Sequence, residues 1–221
     1  MLLYNLHPDV EAFSTHADDA LNFHVTLPAH QAHLTRSALV DSSGPVEDIT
    51  GVDALITQSP GVRIGVKTAD CVPVLVYDPV TSTAAAIHSG WKGTLAGITV
   101  KVIGRLKDEF GVNPSNLHSV IGPCIHQPAF EVGDELQDAF THAGYGTFCQ
   151  RMPAFGTEDN TKCHIDLPGI VSQQLIGTGV SDIEIRPECT YASFPAFHSA
   201  RRLGSEFDRQ RILNCIMITP Q

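Results

Sequence analysis

No apolar run in this chain approaches the roughly 18 residues that a membrane helix needs, so no membrane span is expected. Residues 1–9 hold no basic stretch followed by an apolar one, and a secretory leader is not expected either. Positive charge is scarce. Fourteen Lys and Arg face 24 Asp and Glu, and the net charge of −10 argues against a nucleic-acid partner, whose phosphates demand a basic face. There is no Walker A loop, no G-x-G-x-x-G after a strand and no G-x-S-x-G elbow, which removes the common nucleotide-binding and serine-hydrolase signatures. Nor is there an H-x-H pair of the kind that coupled copper clusters of cupredoxin-type oxidases use.

What is present suits a folded soluble protein. Hydrophobic residues make up 43% of the 221, enough for a substantial core, with no composition break, repeat or linker. The reading is therefore one domain over 1–221, its first 28 or so residues irregular in pattern. A cytoplasmic location follows, in which the six cysteines are reduced thiols available for chemistry or metal binding. The sequence sets no oligomeric state.

The local patterns predict strands over 53–57, 62–67, 72–77, 84–87, 117–121, 162–167, 182–186 and 212–218. Helices are predicted after Gly90 as far as Gly111, with Leu95, Ile98, Val102, Ile103, Leu106 and Phe110 as the apolar face, then over 132–142 and 168–178. Residues 145–160 read as a loop. The alternation of strands and helices gives a mixed α/β domain.

The richest stretch runs from 68 to 93. Thr68-Ala69-Asp70-Cys71 precedes one apolar strand, and His88-Ser89-Gly90-Trp91-Lys92-Gly93 follows the next. Cys71 and His88 lie 17 positions apart, the span of a hairpin whose open ends meet. Each alone is as readily a packed core residue; together they suggest either a metal site or a Cys/His catalytic pair. His33 is the best third candidate among eleven histidines, although spacing alone does not place it. Three ligands with an open position would make a catalytic zinc site, able to bring the pKa of a bound water near ~7 for hydrolysis or deamination. Asp70 is either a loop carboxylate capping an amide or a proton carrier for the site.

Other groups read more plainly. Gly90 and Gly93 flank the only tryptophan at a helix entry, where free amides and Lys92 could receive an anion. Cys124 and His126 sit in a post-strand loop, as a second metal corner or as a rigid turn. Cys163 and His164 point to opposite faces of a strand and are structural, with Asp166 a possible exception. Arg201-Arg202 is a solvated pair or a phosphate clamp.

Thr68-Ala69-Asp70-Cys71-Val72-Pro73-Val74, His88-Ser89-Gly90-Trp91-Lys92-Gly93, Ile121-Gly122-Pro123-Cys124-Ile125 and Phe130-Glu131-Val132-Gly133 together resemble the YfiH-type laccase-domain family. His164-Ile165-Asp166-Leu167, Cys189-Thr190-Tyr191 and the 197–202 segment extend the match to roughly 29–218. The family has been described as polyphenol oxidases and as purine nucleoside phosphorylases.

The resemblance implies an α+β fold, a layered α/β/β/α sandwich with mixed sheets. It implies metal ligands at His33 (of Gln-x-His), Cys71 and His88, with zinc as the cofactor and copper as the substitute. It implies phosphorolysis of adenosine, inosine, guanosine or methylthioadenosine, with adenosine deamination at the same site. The partners are then a purine nucleoside and phosphate. Cys71, His88 and Asp70 would be catalytic, and Lys92 and Arg202 would bind phosphate. The alternatives are a copper-dependent phenol oxidase and a cysteine hydrolase or peptidoglycan precursor editing factor with Cys71 as nucleophile and His88 as base. Ser89 and Lys92 replace a commoner Ala and Arg, while Ala200 and Leu203 stand where Tyr and Asp are usual.

Overall fold

The computed structural model describes residues 1–20, 22–155, 162–206 and 210–220. Fourteen strands are seen among them: β1 (Leu2–Tyr4), β2 (Val10–Ser14), β3 (Ser37–Asp41), β4 (Gly44–Pro45), β5 (Ala54–Thr57), β6 (Arg63–Thr68), β7 (Val72–Asp78), β8 (Thr83–Ser89), β9 (His118–Ile121), β10 (Glu131–Val132), β11 (Cys149–Met152), β12 (Lys162–Ile165), β13 (Asp182–Ile185) and β14 (Ile212–Ile218). The α-helices are α1 (Trp91–Leu95), α2 (Ile98–Phe110), α3 (Asp134–Phe140), α4 (Leu167–Thr178) and the single turn α5 (Ala200–Leu203).

A seven-stranded mixed sheet, ordered β13-β9-β7-β8-β5-β3-β4, is the centre of the fold. Its pairs β13–β9 and β3–β5 are parallel and the others antiparallel. A four-stranded antiparallel sheet, β1-β2-β14-β6, packs on one face of it. The central strands β7 and β8 are buried over their whole length, which is why they read as apolar runs instead of alternating ones. Val72, Val74, Val76, Ala85 and Ile87 face α2 and α4, whereas Leu75, Tyr77, Ala84 and Ala86 meet Ile64, Val66 and Ile216 of the smaller sheet. The far side of that sheet is covered by Phe23, Val25 and Leu27 from an irregular segment against Phe13, Leu213 and Cys215. The layered α+β architecture with mixed sheets that the resemblance implied is thus present, and a three-stranded sheet, β10-β12-β11, adds to it.

Several local expectations need correction. The N-terminal region is not irregular throughout: β1 and β2 lie within it. Phe13 is buried on one face of β2 and Ala12 on the other, so the strand shows no alternation to read. The helix after Gly90 is two helices, because Gly97 at φ 73° breaks it and restarts it as α2. The start expected at Val132 belongs to β10, and Gly133 precedes α3. Part of the expected 145–160 loop is β11; its end, from 156 on, lies outside the described residues. Asp166 ends β12 as the N-cap of α4, accepting a hydrogen bond from Gly169 N at 3.0 Å.

Candidate metal centre

The β6–β7 connection crosses between the two sheets in three residues, Ala69-Asp70-Cys71, with Asp70 at φ 86°. Thr68 anchors the near side through Asn214 Nδ2, which donates to its hydroxyl at 2.9 Å. In the β7–β8 hairpin His88 lies opposite Pro73. Cys71 is one pleat further on the same face, so His88 and Cys71 are diagonal neighbours and their side chains converge. The two residues that the 17-position spacing joins do meet.

His33 arrives from a segment fixed by its neighbours. The Gln31 side chain brackets the backbone of Lys67 on the edge strand β6, its Nε2 donating to Lys67 O at 2.9 Å and its Oε1 accepting from Lys67 N at 2.8 Å. That is a strand-like rung supplied by a side chain, and it sets His33 two residues later over Cys71. The ring centroids of His33 and His88 lie 4.7 Å apart at 86°. One ligand atom from each of His33, Cys71 and His88 lies within 4.8 Å of the other two, the single such grouping of metal-ligating side chains found among the described residues.

Asp53 organises the cluster from behind. Its Oδ1 meets His88 Nδ1 at 2.8 Å and accepts from His33 N at 2.9 Å, and its Oδ2 accepts from Leu34 N at 2.8 Å. With Nδ1 of His88 held, Nε2 is the nitrogen left for the cluster. Such carboxylate–histidine pairs orient ligands at metal sites. Burial works against the charge on Asp53, but His88 and the two amides outweigh it and keep the carboxyl below its ordinary value. In sequence Asp53 opens a predicted strand, Asp53-Ala54-Leu55-Ile56-Thr57, that shares in the family resemblance, but its role rests on contacts 20 and 35 residues away.

The electrostatics favour a thiolate. Burial alone would push the Cys71 thiol up, yet hydrogen bonds and charge from His33 and His88 bring it down to about 6. Burial likewise disfavours the His88 imidazolium, and Asp53 and Cys71 overcome this and raise it to about 9. Two imidazoles and one thiolate suit zinc or cuprous copper. A Cβ on Gly90 would stand 3.1 Å from His33 Cδ2 and 3.2 Å from Cys71 Sγ, so glycine there leaves the space around the three ligands free. The residues fit a bound metal.

The cluster opens on a cleft of about 640 Å³, lined also by His30, Gln31, Lys67, Thr68, Ala200 and Arg211. The other expected site residues sit elsewhere. Asp70 turns away from the cleft: its Oδ1 accepts from Thr190 Oγ1 and its Oδ2 from Arg201 N, both at 2.7 Å. The Lys92 ammonium lies over the Trp91 ring, and the Arg202 guanidinium over Tyr191. Neither lines the cleft. Cys124 is fully buried, its backbone paired with that of Cys189 in an isolated β-bridge while both thiols stay free. Ser89 bonds to Thr94 at 2.8 Å and supports the first turn of α1.

The family described as multi-copper polyphenol oxidoreductase laccase matches residues 7–219. The chain is 43% identical over 176 residues to a purine nucleoside phosphorylase of Bacteroides thetaiotaomicron, covering 78% of this chain and 63% of that one. It is 36% identical over 185 residues to adenosine deaminase RL5 from an unknown prokaryotic organism, covering 79% and 68%. The match to the Bacteroides protein thus spans less than two thirds of that relative's length. The fold is similar to that of the Bacillus licheniformis protein YfiH, at TM-score 0.81 and 22% identity over 95% and 93% of the two chains. Neisseria meningitidis NMB0706 gives the same TM-score and identity over 100% and 99%. Fold, cluster and matches together show that this chain belongs to the YfiH-type laccase-domain family. Among the described residues no helix is long and apolar enough to cross a membrane.

Proposed function

We propose that this chain is a metal-dependent purine nucleoside phosphorylase that also deaminates adenosine, with zinc, or copper in its stead, held by His33, Cys71 and His88. The observation that carries the reading is the three-ligand cluster at the floor of an open cleft of about 640 Å³, a volume suited to a small molecule of nucleoside size. The substrate class comes from the names of the relatives. Three protein ligands are the pattern of catalytic zinc, whereas structural sites are closed by four.

In phosphorolysis a phosphate oxygen forms a bond to ribose C1′ while the bond from C1′ to the purine breaks. The electron pair leaves with the base, which takes up a proton. In deamination water adds to the purine carbon bearing the amino group, and ammonia leaves. A bound metal supplies Lewis acidity and lowers the pKa of water. Asp53 holds both histidines for that ion. Asp70, with both oxygens engaged, holds Thr190 and Arg201 and so fixes the wall that Ala200 adds to the cleft.

The test is chromatography of inosine and adenosine incubated with metal-loaded protein, with and without phosphate. Hypoxanthine from inosine only when phosphate is present, and inosine from adenosine without it, are expected. No conversion by the loaded wild type would overturn the reading, and oxidation of a phenol in its place would favour the oxidase.

One observation favours a second reading. A thiolate–imidazolium pair at Cys71 and His88 is also the equipment of a cysteine hydrolase. Chelation separates the two readings: it abolishes turnover in the first and leaves or raises it in the second.

A further inference from the structure

The cleft carries a charge pattern opposite to that of the whole protein. The chain has a net charge of −10, yet among the described residues no Asp or Glu lines this cleft, which holds Lys67, Arg211 and three histidines. Asp53 is engaged behind the cluster by His88 and two amides, and Asp70 by Thr190 and Arg201. A concave surface lined by one sign of charge concentrates ligands of the other.

Lys67 and Arg211 are held by the fold, not scattered on the surface. Lys67 is opposite Leu213 in the β6–β14 register. Arg211, the residue before β14, lines the same cleft as Lys67. Gln31, which places His33, fixes the Lys67 backbone with the same pair of hydrogen bonds. One side chain thereby ties the Lys67 backbone to the segment that carries His33. Lys67 takes part in no ion pair among the described residues.

We propose that Lys67 anchors an oxyanion subsite beside the His33–Cys71–His88 cluster, with Arg211 adding positive charge to the same lining, and that it receives a phosphate dianion. This deepens the reading given under Proposed function and rests on it for the role of that phosphate as co-substrate. It places the anion at the end of β6 instead of at Lys92 and Arg202, whose charged groups stack on Trp91 and Tyr191. The Lys67 ammonium can give charge-assisted hydrogen bonds to phosphate oxygens, while Arg211, whose Nη1 donates to Gln210 O at 3.0 Å, contributes its charge.

The test is steady-state phosphorolysis of inosine by the metal-loaded full chain with inorganic phosphate varied. Lys67→Met is expected to raise the phosphate KM about tenfold or more, the loss of one charge-assisted contact, while the inosine KM moves by less than about threefold. Lys67→Arg recovers most of the loss, which separates a binding defect from a folding one. An unchanged phosphate KM in Lys67→Met, or a rise produced by Lys92→Met instead, overturns the proposal.

Calorimetric titration with inorganic phosphate, and separately with AMP, needs no turnover. Weaker phosphate binding in Lys67→Met by a protein that converts no nucleoside keeps the subsite and removes the phosphorylase reading. AMP binding that depends on Lys67 alongside weakened phosphate binding identifies a nucleotide phosphate as a second source of the anion. AMP binding lost while phosphate binding is intact overturns free phosphate as its ligand.

Discussion

Cys71 and Cys124 are the same residue type in two neighbouring parts of one fold, and their thiols are driven in opposite directions. Cys124 is fully buried, and burial, then the nearby Cys189, pushes its thiol well above the ordinary value. Burial also raises Cys163 to about 11 and Cys215 to about 12. Cys71 feels the same desolvation, but two imidazoles face it and it falls to about 6. Behind those imidazoles stands Asp53, for which the Cys124 corner has no counterpart in hydrogen bonding among the described residues. Burial makes a cysteine inert; burial beside an organised pair of histidines makes it a ligand or a nucleophile.

The comparison breaks most sharply at the cysteines themselves. Cys71→Ala is expected to reduce metal content and nucleoside turnover to background with little change in Tm. Cys124→Ala is expected to keep both and to lose about 1–2 kcal/mol of stability from the buried void. Metal analysis and thermal melts of the two variants check this pair of outcomes.

Next in size is the carboxylate behind the cluster. Asp53→Ala removes the partner of His88 Nδ1 and of two backbone amides. It is expected to weaken metal binding about 10–100-fold and to cost about 1–3 kcal/mol for the unpaired buried groups. Competition with a chromogenic chelator reads the first effect and denaturant titration the second.

Gly90→Ala is subtler. Gly90 sits at φ −73°, which alanine adopts freely, so its effect is confined to the Cβ contacts with His33 and Cys71. Weaker metal binding with an unchanged Tm is expected; unchanged affinity would show that the three side chains have room to spare.

The smallest effect is a displacement in pH. In metal-free protein, alkylation of Cys71 is expected to titrate near pH 6, and His88→Gln should move that midpoint upward, since the burial that raises the thiol remains while one cause that lowers it is gone. The signs for stability follow from the same two groups. The depressed Cys71 thiol contributes stability above its ordinary value of 9.0, and this is lost as pH falls through about 6. The raised His88 contributes below 6.5, and this is lost as pH rises through about 9. Between about 6.5 and 9 the folded pair holds one proton and so does the unfolded pair, so the two slopes cancel. A flat stability in that window, measured by denaturant titration, sharpens the assignment; a steep one breaks it.

Much of this was legible from residue order. The β7–β8 hairpin announces itself as two apolar runs around a turn, and its open end joins Cys71 to His88 because strand pairing is a local rule. His33 could be nominated from sequence but not placed, since its position depends on the Gln31 rung to β6, 36 residues away. Asp53, Lys67 and Arg211 carry no local signal at all. Each is an ordinary polar residue at a strand end or edge, and only the packing of the two sheets brings it to the cluster. The expectation for Asp70 divides in the same way: its neighbour Cys71 is obvious, but the turn at φ 86° that points its carboxylate at Thr190 is a property of the folded corner.

The most direct test of the central claim is X-ray absorption at the zinc edge on purified, metal-loaded protein. One sulfur at about 2.3 Å and imidazole nitrogens at about 2.0–2.1 Å, with the sulfur signal and the metal both lost in Cys71→Ala, is the expected result. A protein that retains no metal, or a Cys71→Ala variant that retains an unchanged shell, would contradict the account.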